Sequence, residues 1–143
     1  MSPLPDPLTE IRDEFLALDL KERLQLLLEF SNELPELPER LQGRDDLFER
    51  VIECQAPVFL DVEVEPDSVQ LHATAPREAP TTRGFASILV QGLSGLSPED
   101  VLAVPADYPH LLGLDEAVSP LRVRGMTGML ARAKRQIAAK AAA

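Results

Sequence analysis

Two runs of alternating residues constrain this chain more than any other feature. Val58, Leu60, Val62 and Val64 alternate with Phe59, Asp61, Glu63 and Glu65. After Pro66-Asp67-Ser68 the pattern resumes, with Val69, Leu71, Ala73 and Ala75 set against Gln70, His72 and Thr74. Successive side chains of a strand point to opposite faces, so a period of two predicts two half-buried strands. The turn residues between them predict a hairpin. Upstream, Val51 and Ile52 predict a short strand running up to Cys54, and Pro57 turns the chain into the hairpin. The expected sheet is small, three-stranded and antiparallel, with Cys54 in the connection between its first two strands.

Helical patterns flank the hairpin on both sides. Ser2 to Pro7 reads as a loose arm, after which Leu8, Ile11, Phe15 and Leu18 recur at helical spacing. Asp19 stands as the N-cap of a second helix, with Glu22 three residues on completing a capping box. Leu24, Leu27, Leu28 and Ser31 share one face of that helix, and Pro35 stops it. Leu34-Pro35-Glu36-Leu37-Pro38 is a connector, since proline lacks the amide donor a helix needs. Leu41 to Glu49 reads as a loop or a short helical turn.

Beyond the hairpin, a threonine of Thr81-Thr82 caps a helix over Phe85 to Leu93. Phe85, Ile88, Leu89 and Leu93 form its buried stripe, and Gly92 and Gly95 mark its end. Ser97-Pro98-Glu99-Asp100 opens a short helix that Pro105 ends, and Tyr108 to Leu114 reads as another short helix or turn. From Ser119-Pro120 a long helix runs through Gly125 and Gly128, with Met126, Met129, Leu130 and Ile137 inward and fraying expected over Ala138 to Ala143. There is no internal repeat and no domain-sized linker. The expected architecture is one α+β domain over residues 1–143: an N-terminal helix pair, the small sheet, and helices ending in a long one.

The charge is uneven. Net charge is −10, and 17 of the 24 acidic residues lie between Met1 and Pro66. None follows Ala117, where Arg122, Arg124, Arg132, Lys134, Arg135 and Lys140 gather instead. An acidic surface repels phosphate backbones, so no nucleic-acid partner is expected. The basic C-terminal segment reads as the solvated face of a helix, where the macrodipole favours cations. No apolar run approaches the ~20 residues of a membrane-spanning helix, and the first residues do not read as a basic-then-apolar leader for export, so a soluble cytoplasmic protein is expected. One cysteine cannot form an internal disulfide, which agrees with a reducing compartment.

Few residues can carry chemistry. A zinc site needs three or four ligands, and one cysteine with two widely separated histidines, His72 and His110, does not supply them. His72 lies on the polar phase of its strand and is expected in solvent; His110, after Pro109, reads as a surface or capping group. Gly84, Gly92 and Gly95 fall at helix ends and make no phosphate cradle, while Gly125 and Gly128 read as helix-packing positions. That leaves Cys54.

A lone cysteine is most often a small buried apolar residue. Here Glu53 and Gln55 flank it and Pro57 follows, which places it on a turn where a thiol can be presented to another protein. With a pKa of about 8.5, a free thiol is only a few per cent thiolate at neutral pH. Glu49 and Glu53 raise that value, so Arg50, Arg122, Arg124 or loop amides must offset them if the thiolate works. A cysteine hydrolase needs a histidine base in reach, and nothing around His72 or His110 points to one. A thiol that receives and passes on an already activated group needs none.

At four places the sequence resembles the SufE family of sulfur-acceptor proteins, partners of cysteine desulfurases in iron–sulfur cluster assembly. Leu34-Pro35-Glu36-Leu37 resembles the family's connector, and Glu53-Cys54-Gln55-Ala56-Pro57-Val58-Phe59-Leu60 resembles its cysteine loop. Thr82-Arg83-Gly84 is similar to the basic-Gly step that opens the helix after the sheet. Ser119-Pro120-Leu121-Arg122-Val123-Arg124-Gly125-Met126, followed by Met129, resembles the C-terminal signature.

The resemblance implies that Cys54 takes persulfide sulfur from a pyridoxal-phosphate cysteine desulfurase, stimulates that enzyme and passes sulfur to an Fe–S scaffold complex. Pyridoxal phosphate would belong to the partner, and this chain would need no cofactor of its own. Glu53, Gln55, Arg122, Arg124 and Gly125 would support the loop or touch the partner. The resemblance also implies a loop that can tuck over a small cavity when the protein is alone, and a monomer or weak homodimer is expected. Glu53 stands where many relatives have Gly, Phe59 where Trp is usual and Ala56 where Ser is usual. If position 53 requires positive φ, Glu53 would be strained there. Two other readings remain: an adaptor of the desulfurase in which Cys54 only packs, and a stand-alone thiol enzyme or redox sensor.

Overall fold

A computed structural model describes residues 4–141; Ser2 and Pro3 of the expected arm and Ala142 and Ala143 of the expected fraying tail lie outside the described residues. The chain forms α1 (Asp6–Leu16), α2 (Leu20–Asn32), β1 (Glu49–Arg50), β2 (Phe59–Val64), β3 (Val69–Thr74), α3 (Pro80–Leu93), α4 (Pro98–Leu102) and α5 (Pro120–Ala141). Short 3-10 segments at Glu39–Leu41, Asp45–Leu47 and Tyr108–Leu112 fill the connections. The α+β expectation holds: the sheet is antiparallel, three-stranded and ordered β1-β2-β3.

The hairpin pairs in the register its alternation predicts, from Phe59 opposite Thr74 to Val64 opposite Val69. Leu60, Val62, Leu71 and Ala73 are buried, as expected. The opposite phase is less exposed than the pattern implies. His72, expected in solvent, is 7 % exposed, and its Nε2 lies 2.7 Å from Glu63 Oε1. Arg40, from the connector, grips the same Glu63 carboxylate. Asp61 is buried too, and Lys140 Nζ donates to its Oδ1 at 2.8 Å. Polar residues here are satisfied by distant partners that periodicity does not encode.

The first strand is shorter and earlier than expected. β1 is only Glu49–Arg50, paired with Phe59 and Leu60, and Val51-Ile52 already belong to the loop. Past Leu60, the edge of β2 has no strand beside it. α5 covers it instead: Val62 N donates to Gln136 Oε1 at 2.8 Å, and Lys140 Nζ donates to Val62 O. An open strand edge presents unpaired amides and carbonyls, and these two side chains satisfy them.

α3 is the central element, packing on α1, α2, α5 and β3. It is buried all round from Gly84 to Val90, so the single expected stripe was too narrow. It also begins earlier. Pro80 takes the first turn, where its fixed φ and missing amide suit a helix start, and no side chain caps the end. Neither threonine acts as the cap, and Gly84 and Gly92 lie inside the helix. A Cβ on Gly84 would come 2.5 Å from Leu27 O, so this residue lets α2 and α3 approach closely.

At the N-terminus, α1 begins at Asp6, which takes Asp6 and Pro7 out of the expected arm. Leu8, Ile11 and Phe15 form its buried face, and Phe15 stacks on Phe30 with ring centroids 5.9 Å apart. The Asp19–Glu22 capping box opens α2 as expected. Its buried face is Leu27, Phe30 and Ser31; Leu24 and Leu28, placed on one face with Leu27 and Ser31 from spacing, are exposed. Tyr108 lies fully buried below, donating from its hydroxyl to Leu8 O at 2.9 Å.

Candidate functional site

The loop between β1 and β2 closes at a narrow neck. Val51 and Val58 are both fully buried, and Val51 N donates to Val58 O at 2.9 Å, one step beyond the last strand pair. Inside the neck, Cys54 N donates to Val51 O at 3.1 Å and turns the backbone inward. Ile52, Gln55 and Pro57 point out; Cys54 points in. The thiol expected on a presented tip is 8 % exposed in this pose.

α5 provides the seat. Gly125 and Gly128 stand one turn apart on its buried face. A Cβ on Gly125 would come 2.9 Å from Cys54 Sγ, and one on Gly128 would come 2.7 Å from the Glu53 side chain. Two consecutive loop residues thus lie against two glycines: the pair, expected at a helix-packing position, packs against the cysteine loop instead. Arg132 follows one turn later on the same stripe. Its Nε donates to Glu53 Oε1 at 2.8 Å, and its Nη1 donates to Glu49 Oε2 at 2.5 Å. Arg135 and Gln136 bond Glu49 as well.

Glu53 is therefore anchored, not strained. Among the described residues no non-glycine has positive φ, so the concern over its backbone does not arise. The Arg132 hydrogen bond holds its carboxyl below the usual carboxylate range, outweighing partial burial. At Glu49 burial pushes the other way, but Gln136, Arg132 and Arg135 together leave it lowered. Sequence reasoning missed Arg132 because it lies 78 residues from Cys54; its place on the Gly125–Gly128 stripe was the one available signal.

Cys54 borders a cavity of about 180 Å³ that Gln55, Arg122, Pro80 and Thr82 also line. Arg122 thus lies beside the loop, as the resemblance implies, and so does Gly125. Arg124 is exposed on α5 and does not line the cavity. Arg50 lies over the Phe59 ring, 5.9 Å from its centroid. Burial, then the Glu53 charge, push the Cys54 thiol up to about 11, with Arg132 opposing them. In this pose the thiol is protonated at neutral pH and largely covered, with the cavity as its one opening among the described residues.

Neither histidine serves it. His72 is bonded to Glu63, His110 Nδ1 lies 3.0 Å from Asp115 Oδ1, and neither lines the cavity. Among the described residues no cluster of three potential metal ligands occurs. No helix among them is long and apolar enough to cross a membrane.

The SufE family profile, described as "Fe-S metabolism associated domain", matches residues 9–137, including the cysteine loop and the glycine stripe that seats it. The chain belongs to the SufE family. Membership ties it to Fe–S metabolism. It is 52% identical over 135 residues to an uncharacterized SufE-like protein of Mycobacterium tuberculosis, covering 94% of this chain and 93% of that one. It is 27% identical over 121 residues to the cysteine desulfuration protein SufE of Plasmodium vivax, covering 83% of this chain and 47% of that one. The solution structure of a hypothetical protein from Thermus thermophilus superposes with a TM-score of 0.85 at 37% identity, covering 99% of this chain and all of the other.

Proposed function

We propose that this SufE-family chain accepts persulfide sulfur on Cys54 from a cysteine desulfurase, stimulates that enzyme and delivers the sulfur to an Fe–S assembly scaffold. The observation that carries the reading is the seating of the only cysteine, without any base, on a loop whose neck is fixed and whose Glu53 and Cys54 rest on glycines. Such a thiol suits a reaction in which the other partner is already activated. The name of the Plasmodium vivax relative supports the same reading.

The chemistry is an exchange with no net oxidation. The Cys54 thiolate attacks the outer sulfur of the partner's cysteine persulfide and forms a new S–S bond. The bond between that sulfur and the partner's cysteine breaks, and its electron pair leaves on the partner's thiolate. The cavity beside Cys54, about 180 Å³, exceeds the roughly 10–15 Å³ that one water needs on the same measure and so has room for one added sulfur. Arg122 lies where it can orient the loop or contact the partner, with Gln55 beside it on the exposed side. Pyridoxal phosphate belongs to the partner. The whole chain would act as one cytoplasmic domain, in a compartment where a lone thiol stays reduced.

The buried thiol favours one other reading, an adaptor that docks the desulfurase while Cys54 only packs. Incubation with a pyridoxal-phosphate desulfurase and cysteine, followed by intact mass, separates the two. Sulfur acceptance predicts one added sulfur, absent from Cys54→Ala, and loss of stimulation in that variant. Full stimulation by Cys54→Ala, or no sulfur on the wild type, would reject it.

A further inference from the structure

Glu49 and Glu53 both reach Arg132, but they are not held alike. Glu49, on β1, is bonded by Arg132, Arg135 and Gln136, the last through Nε2 at 3.0 Å. Glu53, on the loop, has Arg132 alone among the described residues, through contacts of 2.8 and 3.3 Å. The Arg132 side chain is 13% exposed and that of Glu53 33%, so the pair is partly shielded from water. The neck at Val51 and Val58 is buried and hydrogen-bonded, whereas Ile52, at the tip, is 73% exposed. The loop can therefore lift at its tip without disturbing the sheet, and the one charged contact it must break is Glu53–Arg132.

The geometry points to a latch: the Glu53–Arg132 ion pair holds residues 52–57 against α5 and sets how often Cys54 is open to a reactant. Its purpose rests on the sulfur-acceptor reading; its mechanics do not. Arg132 does not follow Glu53 when the loop lifts, because Glu49 keeps hold of Nη1. The cation stays in place and the latch can re-engage. Opening also removes the burial that keeps the thiol protonated, so exposure and activation of Cys54 occur in one motion.

The test is alkylation of Cys54 by iodoacetamide in the full chain, followed by intact mass with no desulfurase present. Arg132→Gln and Glu53→Gln should each speed alkylation by about two- to fivefold, the range that loss of a partly screened ion pair supports. The two substitutions change the charge beside the thiol in opposite senses. Loss of Glu53 favours the thiolate and loss of Arg132 disfavours it, so a field effect alone would slow Arg132→Gln. An unchanged or slower rate in a folded Arg132→Gln protein overturns the latch.

Should Arg132→Gln fail to fold, Glu53→Gln decides through its pH–rate profile. Release of the latch raises the limiting rate at high pH, whereas a field effect moves only the midpoint; an unchanged limiting rate overturns the proposal. Faster alkylation in both variants, with no sulfur taken from a desulfurase by any of the proteins, would reject sulfur acceptance and leave the latch standing.

Discussion

Gly125 stands so close to Cys54 that a Cβ added to it would lie 2.9 Å from Sγ. No side chain on that turn of α5 separates helix from thiol, and the loop settles directly on the helix surface. Closure of the site is thus a packing contact as well as a charged one, and the two can be varied independently.

Gly125→Ala tests the packing contact. Overfilling a packed position costs about 1–3 kcal/mol, while alanine in a helix interior regains about 0.5–1 kcal/mol over glycine. Sγ is the end of a short side chain, so relief comes from lifting Cys54. The expected outcome is faster alkylation of Cys54 with stability lowered by only about 1 kcal/mol in chemical denaturation. Alkylation at the wild-type rate would show that the seat does not hold the thiol.

The buried thiol makes stability depend on alkaline pH. Its pKa is raised, first by burial and then by Glu53, from an ordinary value near 9 to about 11. Between those values the unfolded chain has lost the proton and the folded chain retains it. The contribution is therefore intact below about pH 9 and lost as pH rises towards 11, up to about 2–3 kcal/mol. Denaturation midpoints followed across this window should fall more steeply in the wild type than in Cys54→Ala. Equal slopes would mean that the thiol is not buried in solution. Tyr108, whose hydroxyl burial also holds protonated, is common to both proteins and cancels in the comparison.

How far the sequence carried depended on the range of each interaction. The hairpin, the capping box of α2 and the Ser97-Pro98 helix start depend on neighbours within a few residues, and each stands where its pattern puts it. Cys54 was legible as the reactive candidate because one thiol among so few reactive groups has no competitor. Its burial is implied by the resemblance, which allows a tucked loop, and not by the local pattern, since the seat is made by Gly125 on a distant helix. His72 and Asp61 failed in the same way: strand alternation assigns a side chain to a face, but Arg40, Glu63 and Lys140 decide what covers that face. Glu53 looked like a strained replacement and is an ion-paired residue, because its partner Arg132 lies far along the chain.

At acid pH Glu63 should govern a separate loss of stability. The Arg40 hydrogen bond, opposed by partial burial and aided by His72, holds its carboxyl at about 2. Its contribution is present above the ordinary carboxylate range and is lost as pH falls from about 4.5 towards 2. Glu63→Gln should flatten the fall in denaturation midpoint over that interval. An identical acid limb in the two proteins would exclude a bound Glu63 carboxylate.

Gln136 makes the last prediction, because one side chain serves both sheet and loop. It accepts from Val62 N at 2.8 Å, donates to Leu60 O at 3.4 Å and steadies Glu49, which in turn holds Arg132. Gln136→Leu keeps the bulk of the side chain but leaves the Val62 amide without a partner, at a cost of about 1–3 kcal/mol. Gln136→Glu restores an acceptor for that amide yet places a like charge beside Glu49, so its loss has a different origin and should shrink as salt is added. The leucine variant should instead be insensitive to salt and show concentration-dependent self-association by sedimentation, since an unpaired strand edge recruits a second chain. If both variants lose the same stability at low and high salt and neither associates, α5 is not what closes the edge of β2.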